Sequence, residues 1–377
     1  MRSTLRLLPI LAVSIWAVLL YARQDRPGTE VDRDEEESQK LYLAREAKAP
    51  AAIRTELEAL RREIAANKLS FKVGYTEALD RGSEELVGAK PPEDLLAQAA
   101  EQHDLAVKLL TFDAEARDVY VREHPDIKLP DDVEQKQLVA ASRSFDWRTK
   151  GKMTPVRDQK NCGSCWAFAT LAAYESSYRI RNNQEIDASE QSILDCSKAG
   201  TCDGGWWAFD FLLKEGVATE QAYPYKAKVG ACKKTPLPYR AVAWDFVKFK
   251  DTIPSADDLK DALVKHGPLT VAMKSTRLFN AYTGGIFDEE ATPKEKPGVK
   301  VNHAVAIVGW DDSKGSKGAW LIKNSWGTSW GVKGYAWVAY DHNSIGYGAA
   351  WVHAKSKFYD LPAAFFRLVP GIKPHLK

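Results

Sequence analysis

The sequence lacks the partners that would make its one closely spaced cysteine pair a metal site. Cys162 and Cys165 stand in "QKNCGSCWAF" (residues 159–168), but there is no second C-x-x-C, and no two of the seven histidines are close enough to form an H-x-x-x-H pair. Structural zinc needs such a second pair. The segment also lacks the preceding strand of a compact βαβ unit, which disfavours a thioredoxin-like redox site. We therefore predict no metal and no cofactor.

The chain also lacks an arginine-rich cluster, an aromatic-basic platform and internal repeats, so we predict no nucleic-acid partner. Charge is instead divided between two parts of the chain. Residues 1–143 contain 21 Lys and Arg against 27 Asp and Glu, whereas residues 144–377 contain 32 against 24. Opposite charges of this kind predict attraction between the N-terminal and C-terminal parts.

No apolar run reaches the roughly 20 residues of a comfortable membrane span. The longest, Leu7 to Ala22, has about 16 residues and follows Arg2 and Arg6. We interpret residues 1–23 as a signal peptide or a signal anchor. The protein is then exported (secreted, periplasmic or in a lysosome-like lumen) or tethered facing that side, with membrane contact only through residues 1–23 if they are not cleaved.

The rest of the N-terminal part divides by composition. Residues 24–39 are charged and contain Pro-Gly, so they are predicted to be a charged, solvated linker in which no core forms. Residues 40–141 carry apolar side chains at helical spacing and read as a small helical region. Within it, "LSFKVGYTEALD" (residues 69–80) is predicted to be a short strand or a loop that docks on a partner.

The number of cysteines is odd, which matters in an exported protein because cysteines in oxidising compartments tend to pair. One thiol is expected to stay free for chemistry while the other four form two disulfides. The five positions are Cys162, Cys165, Cys196, Cys202 and Cys232.

The helix that follows the cysteine pair distinguishes its two members. Residues 164–181 contain no Gly or Pro, and Ser164 stands at the predicted N-cap, so Cys165 falls in the first turn. Unpaired N–H groups and the helix dipole favour a thiolate there. Cys162 lies in the preceding loop and gains no such help. We predict that Cys165 is the nucleophile and that Cys162 forms a disulfide.

A thiolate nucleophile needs a proton acceptor, and His303 in "VKVNHAVAIVGWD" is the best candidate. Its neighbours alternate on a predicted apolar strand that runs into Gly309, which would hold the imidazole rigidly. A lone histidine on such a strand is ordinarily a core residue bonded to the backbone. Asn324, at the end of another apolar strand, could orient the ring and favours the functional interpretation.

Residues 144–353 resemble the papain-like, cathepsin-like cysteine peptidase family. The resemblance rests on four blocks in the family's order and spacing: "FDWR" with "TPVRDQKNCGSCWAF", "ILDCSKAGTCDGGW", "GGIFD" through "NHAVAIVGW", and "KNSWGTSWGVKGY".

The resemblance implies a role for each catalytic residue. Gln159 would donate to the oxyanion, Cys165 would attack, and His303 would act as general base and acid. Asn324 would orient the imidazole, and Trp326 would shield the His–Asn pair from solvent. Each role has a physical reason, because acyl transfer needs an activated thiolate, donors for the oxyanion and a proton for the leaving amine.

The resemblance also implies disulfides Cys162–Cys202 and Cys196–Cys232. Many relatives have a third bridge in the other lobe, but here no cysteine follows Cys232. The implied fold class is α+β: a two-lobed papain-like fold with a helical lobe, an antiparallel barrel-like lobe and a cleft between them, preceded by the small, mainly helical N-terminal region.

Glycines and apolar residues match the family's substrate-binding positions. The glycine pair would let an extended peptide backbone approach closely, although a tight turn alone would also need glycine. The pocket for the side chain second from the scissile bond is then apolar and should prefer apolar side chains. Trp207 departs from the smaller residue usual in relatives, and it either narrows this pocket, forms its rim or packs away from substrate. The predicted substrate-binding residues are Gly204, Gly205, Trp206, Trp207, Ala272, Asn302, Ala304 and Trp326.

The resulting hypothesis is a cysteine endopeptidase acting on peptide or protein substrates through a thioester acyl-enzyme, made as an exported zymogen. Residues 142–355 would be the peptidase domain, residues 356–377 a C-terminal tail, and residues 40–141 a propeptide acting as an intramolecular inhibitor. That region lacks the spaced Glu, Arg, Phe, Asn and Ile pattern of many papain-like propeptides, so an independent module is the alternative. A catalytically silent papain-like binding protein is the alternative function.

Overall fold

The computed structural model describes residues 30–130, 142–290 and 301–369. The predicted signal segment (residues 1–23), the first part of the predicted linker and the end of the tail lie outside the described residues. Within the described ranges, no helix is both long enough and apolar enough to cross a membrane.

The N-terminal region and the two lobes are built from the following elements. The helices are α1 Glu30–Glu46, α2 Ala51–Asn67, α3 Ser83–Leu86, α4 Leu95–Glu123, α5 Cys165–Asn182, α6 Glu190–Cys196, α7 Phe209–Lys214, α8 Ala256–His266, α9 Arg277–Asn280 and α10 Ala363–Leu368. The strands are β1 Phe71–Val73, β2 Ser144–Asp146, β3 Gly200–Thr201, β4 Gly204–Gly205, β5 Ala241–Phe246, β6 Leu269–Met273, β7 Tyr282–Phe287, β8 His303–Asp311, β9 Ala319–Lys323, β10 Tyr335–Ala339 and β11 Tyr347–Ala354.

The main sheet has the strand order β1–β7–β10–β9–β8–β6–β11–β5, and β2 pairs with β8. Strand β10 pairs with β7 in parallel, whereas β8 pairs antiparallel with both β6 and β9. Helix α5 packs against β6, β8 and β11. The predicted α+β class, with a helical lobe against an antiparallel-rich sheet, is confirmed.

Helix α5 begins at Cys165, close to the predicted start. Most of its side chains are buried, because the sheet and the helical lobe enclose it. Ser164 occupies the N-cap position, but its side chain does not cap the helix. Its hydroxyl is instead paired with the hydroxyl of Tyr225 at 2.7 Å.

Strand β8 differs from the predicted alternating strand. It begins at His303, continues through Gly309 to Asp311, and is buried on both faces. Helix α5 and its neighbouring strands cover it, so no solvated face requires alternation. At Gly309 a Cβ would lie 2.3 Å from the carbonyl oxygen of Phe145, so the crossing of β2 requires glycine there.

Both disulfides implied by the family resemblance are present. Cys162 is bonded to Cys202, and Cys196 to Cys232. Cys165 is left as the free cysteine, and it is buried.

The prediction that residues 24–39 form a solvated linker is wrong for residues 30–39, which belong to helix α1. This helix has no apolar face of its own that would have revealed it. It is held by the C-terminal part of the chain: Lys333 lies 2.6 Å from Asp34 and 2.8 Å from Glu37, and the Tyr42 hydroxyl donates to the Gly331 carbonyl at 2.8 Å. The acidic residues of this helix thus pair with Lys333, which is too distant in the sequence for local patterns to reveal.

Of the two possibilities for residues 69–80, the structure has the strand. Strand β1 pairs antiparallel with β7, and Phe71 packs on Phe287 with ring centroids 4.6 Å apart. Arg81, directly after this segment, forms two hydrogen bonds of 2.8 and 2.9 Å with Asp158. The helices expected on either side are α2 and α4.

Candidate active site

The Cys165 thiol lies at the start of α5, in the cleft between the lobes, and is fully buried. Burial raises the pKa of the thiol to about 12, and backbone N–H groups of Ala304, Gly88 and Trp166 oppose that shift in part. Two opposing effects therefore act on the pKa of this thiol. The helix start favours a thiolate, but covering the sulfur keeps it protonated in this form.

His303 is the first residue of β8, and Asn324 directly follows β9, the neighbouring strand. Pairing of the two strands brings their side chains together, and His303 Nε2 lies 2.8 Å from Asn324 Oδ1. Trp326 packs on the imidazole with ring centroids 4.6 Å apart. Among the described residues no group forms a hydrogen bond of ordinary geometry with His303 Nδ1, although the Leu86 backbone lies close enough to the ring to favour its protonated form. That nitrogen is therefore the one left to exchange a proton.

Burial also changes the acid–base behaviour of the histidine. It lowers the pKa of His303 to about 4, although the hydrogen bond with Asn324 opposes the shift. At neutral pH the described form thus holds a neutral thiol and a neutral imidazole. The reactive thiolate–imidazolium pair requires water to reach the cleft.

The Gln159 side chain is fixed at both ends. Its Oε1 accepts a hydrogen bond from the Ser325 hydroxyl at 2.7 Å, and its Nε2 donates to the carbonyl oxygens of Cys162 at 2.9 Å and Leu86 at 3.2 Å. The Trp326 indole N–H also donates to Leu86, at 3.2 Å. An amide held in this way can donate to a carbonyl oxygen placed in the cleft.

Residues 86–90, which we call the cleft segment, run through the site. The Gly88 and Ala89 N–H groups donate to the Asn302 carbonyl at 2.8 and 2.9 Å. The Gly205 N–H donates to the Gly88 carbonyl at 2.8 Å, and the Lys90 N–H donates to the Gly205 carbonyl at 2.9 Å. Gly205 and Asn302, two of the predicted substrate-binding residues, thus hydrogen-bond to a backbone that is part of the chain itself.

Glycine is required where the cleft segment meets the loop before α5. A Cβ on Gly88 would lie 1.8 Å from the Gly163 carbonyl oxygen, far inside van der Waals contact. Gly204 has φ +125°, and a Cβ there would lie 2.7 Å from the Gly88 carbonyl oxygen. The two backbones approach closely only because both positions lack a side chain.

The predicted pocket residues come together beside the cleft segment. Trp206 stacks on Trp207 with ring centroids 3.9 Å apart, and the buried Trp207 indole donates to the Gly348 carbonyl at 2.8 Å. Ala272 and Ala304 are buried partners on paired strands β6 and β8. The Trp207 ring is therefore buried against Trp206 and Gly348, and it does not form an exposed rim of the predicted pocket.

Several supporting residues escaped sequence reasoning. Ser325 stands inside a recognised block, but only its contact with Gln159 reveals its role. Tyr225 donates to the Gln159 carbonyl at 2.8 Å from a part of the chain that no motif marks.

A buried ion network lies behind Asn324. The preceding residue, Lys323, donates to the Thr154 carbonyl at 2.9 Å, and the Thr154 hydroxyl donates to Glu175 at 2.6 Å. Burial lowers the pKa of Lys323 to about 8, with Glu175 opposing the shift. These contacts anchor the end of β9 from which Asn324 projects.

The chain is similar in sequence to known proteins. The profile described as "Papain family cysteine protease" matches residues 141–354. Caricain from Carica papaya is 41% identical over 204 residues, which are 52% of this chain and 55% of caricain. Ananain from Ananas comosus is 32% identical over 238 residues, which are 60% of this chain and 66% of ananain. The chain thus spans about two thirds or less of the length of these curated relatives.

Among solved structures, digestive procathepsin L2 from the larval midgut of Tenebrio molitor is similar over most of the chain. The TM-score is 0.61 and the sequences are 27% identical, with 90% of this chain and 98% of that chain covered. The similarity extends into the N-terminal region as well as the two lobes.

Fold and site define a class of two-lobed α+β proteins with a Cys–His–Asn trio in the cleft. Because the family profile covers more than half of its residues, the chain belongs to the papain family of cysteine proteases.

The first prediction concerns Asn324. Asn324→Ala removes the hydrogen bond to His303 Nε2, so we expect kcat on a peptide substrate to fall about 10- to 100-fold while KM changes little. Asn324→Asp keeps an oxygen at the acceptor position and should lose less. The Asn324→Asp substitution also breaks no hydrogen bond of the side-chain nitrogen, because Asn324 Nδ2 has no partner among the described residues. Equal losses in both variants, or an unchanged kcat in the first, would show that Asn324 does not orient the ring.

The second prediction concerns pH. When the cleft opens, hydration returns the pKa of His303 from about 4 toward its ordinary value near 6.5. Between these values the open form binds a proton that the closed form does not, so acid favours opening. Alkylation of Cys165 in the intact chain should therefore be at least 100-fold slower than in the urea-unfolded chain at pH 7.5. This protection should fall as the pH is lowered from 6.5 to 4.

Intact-mass measurement of iodoacetamide incorporation checks this result cleanly, because the other four cysteines form disulfides. Rates are compared with those of the unfolded chain at each pH, which removes the intrinsic pH dependence of thiol alkylation. Protection that stayed constant from pH 6.5 to pH 4 would contradict the coupling of His303 to cleft opening.

Proposed function

We propose that the protein is a cysteine endopeptidase that hydrolyses peptide bonds through a thioester acyl-enzyme. The observation that carries this proposal is the combination of Cys165 at a helix start with the 2.8 Å His303–Asn324 pair in the same cleft. Papain-family membership supports it. The buried, neutral state of the thiol in the described form is consistent with a precursor in which this chemistry is blocked.

For the open form we propose the following steps. His303 Nδ1 takes the proton of the Cys165 thiol, and the thiolate attacks the scissile carbonyl carbon. Gln159 Nε2 and the Cys165 backbone N–H donate to the oxyanion, each such donor contributing about 3 kcal/mol. His303 then protonates the departing amine, and water hydrolyses the thioester. Asn324 keeps the imidazole in one orientation throughout.

A peptidyl epoxide directed at thiols tests this function. Labelling is expected once the cleft segment is released, and it should be lost in Cys165→Ala. A chain that opens its cleft, shown by alkylation of Cys165 with iodoacetamide, and yet never reacts with the epoxide or cleaves a peptide library would be a catalytically silent binding protein.

We also propose that residues 40–141 are an inhibitory propeptide. The cleft segment takes the hydrogen-bonding groups of Gly205, Asn302 and Gln159 that would otherwise hold a substrate. The resemblance to digestive procathepsin L2, which extends over 90% of the chain, supports this role. Helix α1, which begins before residue 40, also contacts the C-terminal part of the chain through the ion pair of Asp34 with Lys333.

The ion pair between Arg81 and Asp158 adds a charged contact next to Gln159. Burial opposes ionisation of Asp158, but hydrogen bonds from Arg81 and Lys160 outweigh it and lower the pKa of Asp158. Arg81 thus joins the start of α3 and the cleft segment to Asp158, the residue before Gln159. Loss of the N-terminal region removes this ion pair.

The third prediction tests this inhibition. Gly88→Ala places a methyl group against the Gly163 carbonyl, so the cleft segment must lift away from the thiol. We expect the intact chain to react with the epoxide at least tenfold faster than wild type. Gly82→Ala is the matched control, because its Cβ would meet only the flexible carboxylate of Glu84. Equal rates in the two variants would mean that the cleft segment does not block the thiol.

The fourth prediction concerns specificity, for which we propose a preference for apolar side chains second from the scissile bond. The Trp207 indole donates to the Gly348 carbonyl at 2.8 Å, and our proposal is that the ring held in this way narrows the pocket. Trp207→Ala should therefore raise kcat/KM for Phe relative to Val at that position about tenfold, which corresponds to about 1.4 kcal/mol. A peptide library measures the ratio.

Trp337→Ala, on strand β10 away from the cleft, is the control and should leave the Phe to Val ratio unchanged. An unchanged ratio in Trp207→Ala would remove Trp207 from the pocket. A preference for Arg or Glu in the wild type would overturn the apolar pocket.

Export rests on the sequence of residues 1–23, and we propose it together with an oxidising compartment. The two disulfides support it, because such bonds persist outside the reducing cytosol.

A further inference from the structure

Helix α4 (Leu95–Glu123) contacts the C-terminal part of the chain by a different kind of surface from the cleft segment. One stripe of side chains is buried at alternating spacings of four and three residues, the pattern of a helix face packed along its length. The stripe consists of Leu95, Ala99, Gln102, Ala106, Leu109 and Asp113. On the other side of the helix Leu96 is 41% exposed and Val107 51% exposed.

Both polar members of this stripe are bonded to the C-terminal part of the chain. Gln102 Nε2 donates to the carbonyl of Trp244 on β5, and Asp113 accepts from Arg181 Nη2 at 2.7 Å. The Tyr359 hydroxyl donates to the second Asp113 oxygen at 3.1 Å. Asp113 and Arg181 are both buried, so breaking their pair would leave charge in an apolar environment.

Two buried histidines lie next to Arg181. His353 Nδ1 lies 3.3 Å from Arg181 Nη1, and His353 Nε2 lies 2.9 Å from His266 Nδ1. Burial lowers the pKa of His353 well below its ordinary range and that of His266 to about 3. The neutral rings therefore place no further positive charge beside the guanidinium that holds Asp113.

The C-terminal tail covers α4 from the opposite direction. Helix α10 contacts α4, and its Phe365 is almost completely buried. The Tyr120 ring lies 6.4 Å from that of Phe358 and 6.2 Å from that of Tyr359. Helix α4 thus lies between β5 and the tail, and its departure would uncover apolar side chains of both.

We propose that α4 stays bound to the peptidase domain as a separate subunit after the chain is cut on both sides of it. This inference rests on the proposed zymogen function, because that function supplies the cuts. Release of the cleft segment breaks backbone hydrogen bonds around Gly88, none of which involves the α4 stripe. The exposed residues Glu93 and Asp94 join the two and offer a site for the first cut.

A cutting experiment in the Cys165→Ala chain tests the proposal without depending on the chain's own activity. A recognition sequence for a site-specific protease is inserted after Pro92 and a second one between residues 131 and 141. After digestion at pH 7.5, gel filtration and native mass spectrometry are expected to find the α4 fragment in a one-to-one complex at micromolar concentration. An α4 fragment that elutes alone at 10 µM would overturn the proposal.

Variants on the same helix identify what holds it. Asp113→Asn and Leu109→Ala should each raise the dissociation constant of the fragment at least tenfold. The matched controls, Asp104→Asn and Leu96→Ala, change exposed side chains of the same types and should stay within twofold. Only chains that elute as folded monomers before digestion are compared. Indistinguishable constants for buried and exposed variants would overturn the assignment of this surface.

The wild-type protein separates failure of this inference from failure of the proposed function. If the epoxide labels a processed wild-type enzyme whose peak contains no α4 fragment, the retained subunit is wrong while the peptidase stands. If the Cys165→Ala complex forms but the wild type never labels, the peptidase is wrong while the α4 interface stands.

Discussion

The packing of helix α5 against strand β8 is the contact on which the site depends. The helix starts at Cys165 and the strand starts at His303, so the contact brings the thiol and the imidazole from opposite lobes to one cleft. Pairing of β8 with β9 then places Asn324 on the far side of the ring. Because both α5 and β8 are almost wholly buried, neither can shift without disrupting the core.

The same burial controls reactivity. A thiol and an imidazole in contact with water can exchange a proton and form an ion pair, whereas in the closed cleft each is more stable as the neutral group. In the described form the N-terminal region helps to keep Cys165 and His303 buried, and it occupies the hydrogen-bonding groups of Gln159 and Gly205. On the proposed function, withdrawal of this region would expose the two side chains to water and free these groups in one step.

What the sequence could predict follows from where the determining contacts lie. Helix α5 and the positions of Cys165, His303 and Asn324 could be predicted because a run without Gly or Pro, an apolar strand and family blocks are local features. The contribution of Ser325 and Tyr225 could not, since it depends on which loop folds over Gln159. Helix α1 was missed for a related reason: its stability comes from Lys333 and Gly331, some 300 residues further along the chain.

The N-terminal region shows why structural likeness can persist where a sequence motif is absent. In the cleft, its contacts with Gly205 and Asn302 are made by backbone N–H and carbonyl groups, which every residue except proline supplies alike. Gly88 is restricted there by the close approach of Gly163, and the side chains of Leu86 and Ala89 are buried in the core. These backbone contacts place few requirements of their own on the side chains of the segment. Helix α4 is the opposite case, because the side chains of its stripe bond to specific partners such as Arg181. Such a surface restricts which residues can occupy the stripe. A region that combines the two can keep its place over the cleft while the spacing of its own residues departs from the family's pattern.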